Sequence, residues 1–286
     1  MTPELPRLPP RPAESHKGDF GRVLVVAGSV GMSGAAVLCG HAALRAGAGL
    51  VKVACPAPVQ PLVAQAQPCL MTTPLPADEH GQLSEKALTP LRDLAAWSSV
   101  IACGPGLGLN RGIETILLGI LTDLSRPLVL DADGLNAAAR LLQNGHSLPR
   151  TAAPLILTPH PGEFTRLVGR TYPPEEMPEA ARQLAVSLKA VVLVKGHRTL
   201  ITDGVHQRRN TTGNPGMASG GSGDVLTGVI GAFLSQGLSA FDAAVLGAHV
   251  HGLAGDLAAA ERGPVGILAT DLIELLPAAI KTVILS

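Results

Sequence analysis

Apolar residues in this chain fall into short unbroken runs that end on Gly, Pro or Asp and seldom alternate with polar ones. Arg22–Ala27 is the first such run, rich in β-branched residues and closing on Gly28, and it predicts a buried strand. Ser33–Ala46 follows with small and apolar residues suited to a helix. Ser33 is its possible cap, Gly47 and Gly49 its stop, and Leu50–Ala54 opens a second strand. The unit recurs with Val100–Cys103 before GPGLG and Leu128–Leu130 before Asp131-Ala-Asp-Gly. It recurs again with Pro154–Leu157 before a turn bracketed by prolines, and with Val191–Val194 before Lys195-Gly196. Strands without a polar face are those covered by helices on both sides, so the predicted architecture is an α/β three-layer α/β/α sandwich around a mostly parallel central sheet. Leu200–Asp203 and Val205–Arg209, separated by Gly204, read as a hairpin at the late edge. From Gly221 the chain is Ala-rich and predicted helical through Ala260, with a break at Gly237-Leu-Ser, and a last helix is expected from Thr270 to Ile280. The Ala240–Ala260 stretch is expected to leave apolar faces for another subunit.

Residues 1–14 are Pro-rich and read as an extended arm. Residues 15–286 contain no repeat or linker and are expected to form a single domain. A composition 46% hydrophobic and 15% charged excludes disorder and permits a packed core without disulfides. Lys+Arg and Asp+Glu both total 22, which leaves no basic field for nucleic acid and points to a small-molecule ligand. The cysteines at 39, 55, 69 and 103 form no CxxC pair, so they are expected to be buried or inert thiols rather than zinc or redox ligands. No signal core opens the chain and no run reaches the roughly 18 apolar residues of a membrane span, so a cytoplasmic protein is expected.

The strongest chemical signal is Asn214-Pro-Gly-Met-Ala-Ser-Gly-Gly-Ser-Gly-Asp224, directly before the apolar helix Val225–Leu234. Glycines let the backbone approach a ligand, and a helix N-terminus presents unpaired N–H donors to a phosphate. Asp224 in that first turn can take a proton from a substrate hydroxyl, beyond merely complementing the helix dipole. GPGLG (Gly104–Gly108) is either a second phosphate cradle or a plain strand exit; it matches neither the dinucleotide fingerprint nor a P-loop. His160, between two prolines in Thr158-Pro-His-Pro-Gly-Glu163, is rigidly held and can orient a substrate, while Glu163 reads as a helix cap. Lys195-Gly-His-Arg-Thr199 is either a phosphate clamp or an exposed charged turn. Asp133 reads as an N-cap and Asp131 is left open. His249 and His251 fall on different helix faces and predict no metal site.

Taken together, His16-Lys-Gly-Asp-Phe-Gly21, Ala27-Gly-Ser with Ser33-Gly-Ala-Ala36, GPGLG, DADGLN (131–136), LTPHPGEF (157–164), VKGHRT (194–199) and NPGMASGGSGDVLTG (214–228) resemble the ADP-dependent NAD(P)H-hydrate dehydratase family. The resemblance runs from Ser15 to about Leu276. It implies a ribokinase-like fold and repair of NADH or NADPH hydrated on the nicotinamide ring, with the S epimer as substrate and ADP converted to AMP and phosphate. Carried over by position, Ala36, Gly106, His160 and Asp224 would contact the hydrated dinucleotide. Lys195, Gly196, His197, Arg198, Thr199 and Gly223 would hold the AMP portion. Asp224 would be the general base and the Gly221–Gly223 amides the anion hole. The resemblance further implies Mg²⁺ with no nameable protein ligands, ATP as a possible substitute for ADP, a homotetramer, and a separate epimerase for the other epimer. A small-molecule kinase of the ribokinase-like group and a non-catalytic adenine-nucleotide sensor are the alternatives.

Overall fold

The computed structural model describes residues 4–123, 125–149 and 153–285. Its strands are β1 Arg22–Val26, β2 Leu50–Pro56, β3 Met71–Leu75, β4 Val100–Cys103, β5 Leu128–Leu130, β6 Leu155–Leu157, β7 Val191–Val194, β8 Leu200–Thr202 and β9 Gln207–Arg209. They form one sheet in the order β3-β2-β1-β4-β5-β6-β7-β8-β9. Pairing is parallel as far as β7 and antiparallel for β8 and β9. The helices are α1 Ser33–Arg45, α2 Gln60–Ala66, α3 Leu88–Trp97, α4 Arg111–Asp123, α5 Ala132–Gln143, α6 Pro161–Val168, α7 Met177–Leu188, α8 Ser222–Ser235, α9 Ala240–Arg262 and α10 Ala269–Leu285.

The period of two along a strand sends neighbouring side chains to opposite faces, and both faces here are dry. Val23 and Val25 join a core with Cys39, Val63, Val229, Phe233, Ala244 and Leu272, from α1, α2, α8, α9 and α10. Leu24 and Val26 join a second core with Leu91, Leu117, Leu135, Phe164 and Ala181, from α3 to α7. Burial on both sides is why the strands lack alternation, and the three-layer architecture is as expected. Although α8 follows β9 at the far edge, it returns across the sheet to pack on β1, β4 and β5. It seats against α1 at Gly228, where a Cβ would overlap the Cys39 carbonyl.

Several local expectations are corrected. Met32, not Ser33, occupies the cap position of α1, and no side chain caps that helix. β3 carries no continuous apolar run because it is an edge strand, exposed or half-buried up to its last residue and containing Pro74. The hairpin is shorter than read: Asp203 leaves the ladder to accept the amides of Val205 and His206. Helix α10 extends beyond Ile280 to Leu285. The face of α9 expected to remain open is buried within the chain, through Ala243, Ala244, Val245, Leu246, Ala248 and neighbouring residues. Cys39, Cys55 and Cys103 are buried, but Cys69 is exposed; all four are free. Along the arm, Glu4–Pro12 has no regular structure. Its Leu5 and Leu8 pack on the first core, and Arg11 lies over the Phe20 ring. Among the described residues no helix is long and apolar enough to cross a membrane.

Candidate active site

A parallel sheet points the carboxyl ends of its strands to one edge, and a crevice opens where the chain changes direction. Here that point lies between β1 and β4: β2 and β3 succeed β1 on one side, and the later strands continue on the other. Gly28, after β1, donates its N–H to the Pro105 carbonyl at 2.8 Å. The Ser29 hydroxyl donates to the Gly106 carbonyl, also at 2.8 Å. Gly106 has φ +61°, and a Cβ there would press on Met32 and Ala35 at 2.9 Å. Ala36 lies beside Gly28, while Gly106 lies against Met32 and Ala35 at the start of α1.

The same loop is anchored to α5. Gly108 donates its N–H to Asp133 Oδ2 at 2.8 Å, and Asn136 donates to the other oxygen. Asp133 is therefore not the N-cap. That position belongs to Asp131, whose carboxylate caps nothing. Instead, Asp131 is 1% exposed and accepts from Lys195 Nζ at 2.7 Å and from the Thr227 hydroxyl at 2.6 Å.

After β6, His160 caps α6. Its Nδ1 accepts from the amides of Gly162 and Glu163, and Glu163 reciprocates by accepting the His160 N–H at 2.8 Å. This capping box leaves Nε2 as the protonated nitrogen of the neutral ring, on a side chain half exposed. Glu163 caps as expected; its Oε2 also lies 3.8 Å from Lys195 Nζ. Lys195 is thereby separated from the rest of its motif. Its ammonium turns inward between two carboxylates, whereas Gly196, His197 and Arg198 stay exposed at the rim and Thr199 bonds back to Gly196. Burial opposes the Lys195 charge, but Asp131 and Glu163 outweigh it and raise the pKa.

Helix α8 begins after Gly221, whose φ of +89° makes glycine the fitting residue. Ser222 turns its N–H back toward Ser219 at 3.4 Å, while the N–H groups of Gly223 and Asp224 meet no acceptor among the described residues. A Cβ on Gly223 would stand 3.3 Å from Lys195 Nζ. The Asp224 carboxyl is pushed up to about 7, first by burial and then by Asp131, against the pull of Lys195. The result is a proton acceptor poised near neutrality beside unpaired amides and a fixed cation. His251, on α9, places Nε2 2.9 Å from the Ser222 carbonyl and donates to it. Burial drives its pKa down to about 4, so it is a neutral tie between α9 and this turn. Sequence reasoning missed Thr227 and the His251 bond. Thr227 carries no signal beyond lying one turn past Asp224.

A family model described as NAD(P)H-hydrate dehydratase matches residues 23–278. A bifunctional NAD(P)H-hydrate repair enzyme of Moorella thermoacetica is 46% identical over 278 residues, covering 95% of this chain and 51% of the relative. The chain thus spans about half the length of that relative. The ADP-dependent (S)-NAD(P)H-hydrate dehydratase of Neisseria meningitidis serogroup B is 39% identical, covering 92% of this chain and 86% of the other. The ADP/ATP-dependent NAD(P)H-hydrate dehydratase of Bacillus subtilis, co-crystallised with ATP and Mg²⁺, superposes with a TM-score of 0.83 at 32% identity, covering 97% and 95% of the two chains. The fold is ribokinase-like, as the motifs imply.

Proposed function

We propose that this chain, which belongs to the NAD(P)H-hydrate dehydratase family, returns the S epimer of hydrated NADH or NADPH to the intact cofactor while converting ADP to AMP and phosphate. The observation that carries the reading is Asp224, a buried carboxyl of raised proton affinity in the first turn of α8, beside two unpaired amides. Asp224 takes the proton of the ring hydroxyl, whose oxygen attacks the terminal phosphorus of ADP. The bond to AMP breaks and AMP departs with its electron pair. The amides at Gly221–Gly223 hold the transferred group, with Gly223 and Asp224 offering the free donors. The phosphate now on the ring is a good leaving group. The ring nitrogen's lone pair expels it, and loss of a proton from the adjacent carbon restores the double bond.

In this reading Ala36 and Gly106 line the dinucleotide crevice, His160 meets the substrate through Nε2–H, which also lies 3.5 Å from Glu163 Oε1, and Lys195–Thr199 with Gly223 receive the nucleotide. Among the described residues no group of three or more His, Cys, Asp or Glu is arranged to hold a metal. Mg²⁺ would arrive on the nucleotide phosphates. A homotetramer rests on the resemblance. The opposite epimer would need epimerisation before it could enter this reaction.

The test is the near-ultraviolet absorbance of reduced nicotinamide after mixing protein, purified NADH hydrate, Mg²⁺ and either ADP or ATP. Recovery that requires nucleotide and releases AMP or ADP establishes the activity and names the donor. A stable phosphorylated product would move the assignment to a kinase, and binding without turnover to a sensor. Because Asp224 must be ionised to accept a proton, kcat/KM should fall about tenfold per pH unit below roughly pH 7 and level off above it. A profile flat down to pH 5 would remove Asp224 from the role of base.

A further inference from the structure

The geometry points to Asp131 as a positioning residue of the phosphoryl transfer: it fixes the Lys195 ammonium over Gly223, where that cation faces the transferring phosphate. The inference rests on the functional reading above and assigns a task to a residue which that reading leaves idle.

Three observations converge on it. Asp131 occupies the N-cap of α5, a place where a carboxylate ordinarily bonds the helix's own amides, yet it makes no such bond. The next residue, Ala132, has φ +47°, a left-handed conformation that an L side chain rarely adopts and that persists only when its surroundings enforce it. Both oxygens of Asp131 are instead directed to distant elements. Oδ1 receives Lys195 Nζ at 2.7 Å from the end of β7, and Oδ2 receives the Thr227 hydroxyl at 2.6 Å from the second turn of α8. The backbone of Asp131 is pinned as well, its N–H donating to Cys103 and its carbonyl accepting from Gly134. A carboxylate buried to 1% exposure and held in this way has one geometry available to it.

Lys195 inherits that geometry. A lysine ammonium on a four-carbon stem is a mobile point charge unless something holds it, and transfer needs its charge at a fixed distance from the moving group. Asp131 holds it directly and Glu163 lies 3.8 Å away on the outer side. The charged groups that act on Asp224 are Asp131, Lys195, Asp133 and Glu163, so removing the Asp131 charge also changes the setting of the base.

The decisive variant is Asp131→Asn, measured for kcat, nucleotide KM and the pH dependence of kcat/KM. Expected are a kcat lower by about 10–100-fold, a nucleotide KM within about threefold of wild type, and an acid limb displaced to lower pH. A residue serving only the fold would lower the melting temperature and leave kcat of the folded protein unchanged. If Asp131→Asn does not fold, Thr227→Val frees Oδ2 while keeping shape and the ion pair. It should lower kcat several-fold with the limb unmoved. Active wild type with either variant at wild-type kcat overturns the assignment to Asp131 alone. Inactive wild type overturns the dehydratase reading together with it.

Discussion

Replacing Asp224 by asparagine should lower kcat by about a thousandfold or more and, at the same time, raise the thermal stability of the protein. In the proposed reaction the loss of rate follows from removing the group that takes the hydroxyl proton while leaving the unpaired amides in position. The gain in stability follows from the sign of the pKa shift. Asp224 is raised from 3.8 in the open chain to about 7 in the fold. A group shifted upward favours the fold fully below its unfolded value, and that contribution is lost as pH rises through the folded one. Above pH 7 the wild type therefore carries a buried negative charge that asparagine does not. Three pKa units correspond to about 4 kcal/mol, which partial exposure reduces to roughly 2–3 kcal/mol. Melting curves of both proteins from pH 4 to 9 should diverge between pH 4 and 7 and run parallel above. An Asp224→Asn protein no more stable than wild type at pH 8 would show that the carboxyl is not strained in the fold, whatever happens to its rate.

The second large effect comes from a residue that holds α8 against α1. Gly228→Val should destabilise the protein by about 3 kcal/mol or more, because its Cβ falls on the Cys39 backbone carbonyl, which cannot swing aside as a side chain would. For a chain of this size that is a drop in Tm of roughly 6–12 °C. Whatever folds should have α8 pushed off α1, displacing Ser222–Asp224 and lowering kcat by about tenfold. Gly231→Ala, one turn on, is the matched comparison. Its added Cβ would meet Ala102 and Val23 at 3.6 Å, an ordinary contact, and alanine is the better helix former. It should be neutral or slightly stabilising. Equal losses in both variants would show that helix substitution, and not the α1–α8 approach, is responsible.

The contrast between these glycines is one that the chain alone does not express, and the site divides in the same way. The layered fold was legible because both sheet faces are buried, which removes polar residues from Val23–Val26 and Val191–Val194 alike. The start of α8 was legible because small residues followed by Asp have local meaning. Glu163 could be read as a cap for the same reason, since a capping box is closed within four residues, whereas the part of His160 in that box was not read. Asp131 could not. DADG offers two carboxylates two positions apart, and the partners that decide between them, Lys195 and Thr227, lie 64 and 96 residues away in the chain. Lys195 was likewise recognised as a cation at a strand end, but its inward turn depends on carboxylates from two other strand ends. β3 escaped notice because an edge strand with Pro74 needs no apolar run.

The route of α8 has a consequence for how the chain is born. Its residues leave the hairpin at the far edge and return to cover β1, β4 and β5, whose partners have been synthesised long before. Until about residue 235 has emerged from the ribosome, one face of the central strands lacks its main cover, a surface of Val23, Val25, Ala102 and Val129 open to any passing apolar segment. The helix that carries Asp224 is thus also the lid on the unfinished core. A nascent chain stalled before it would lack the proposed base and be prone to aggregate for one and the same reason.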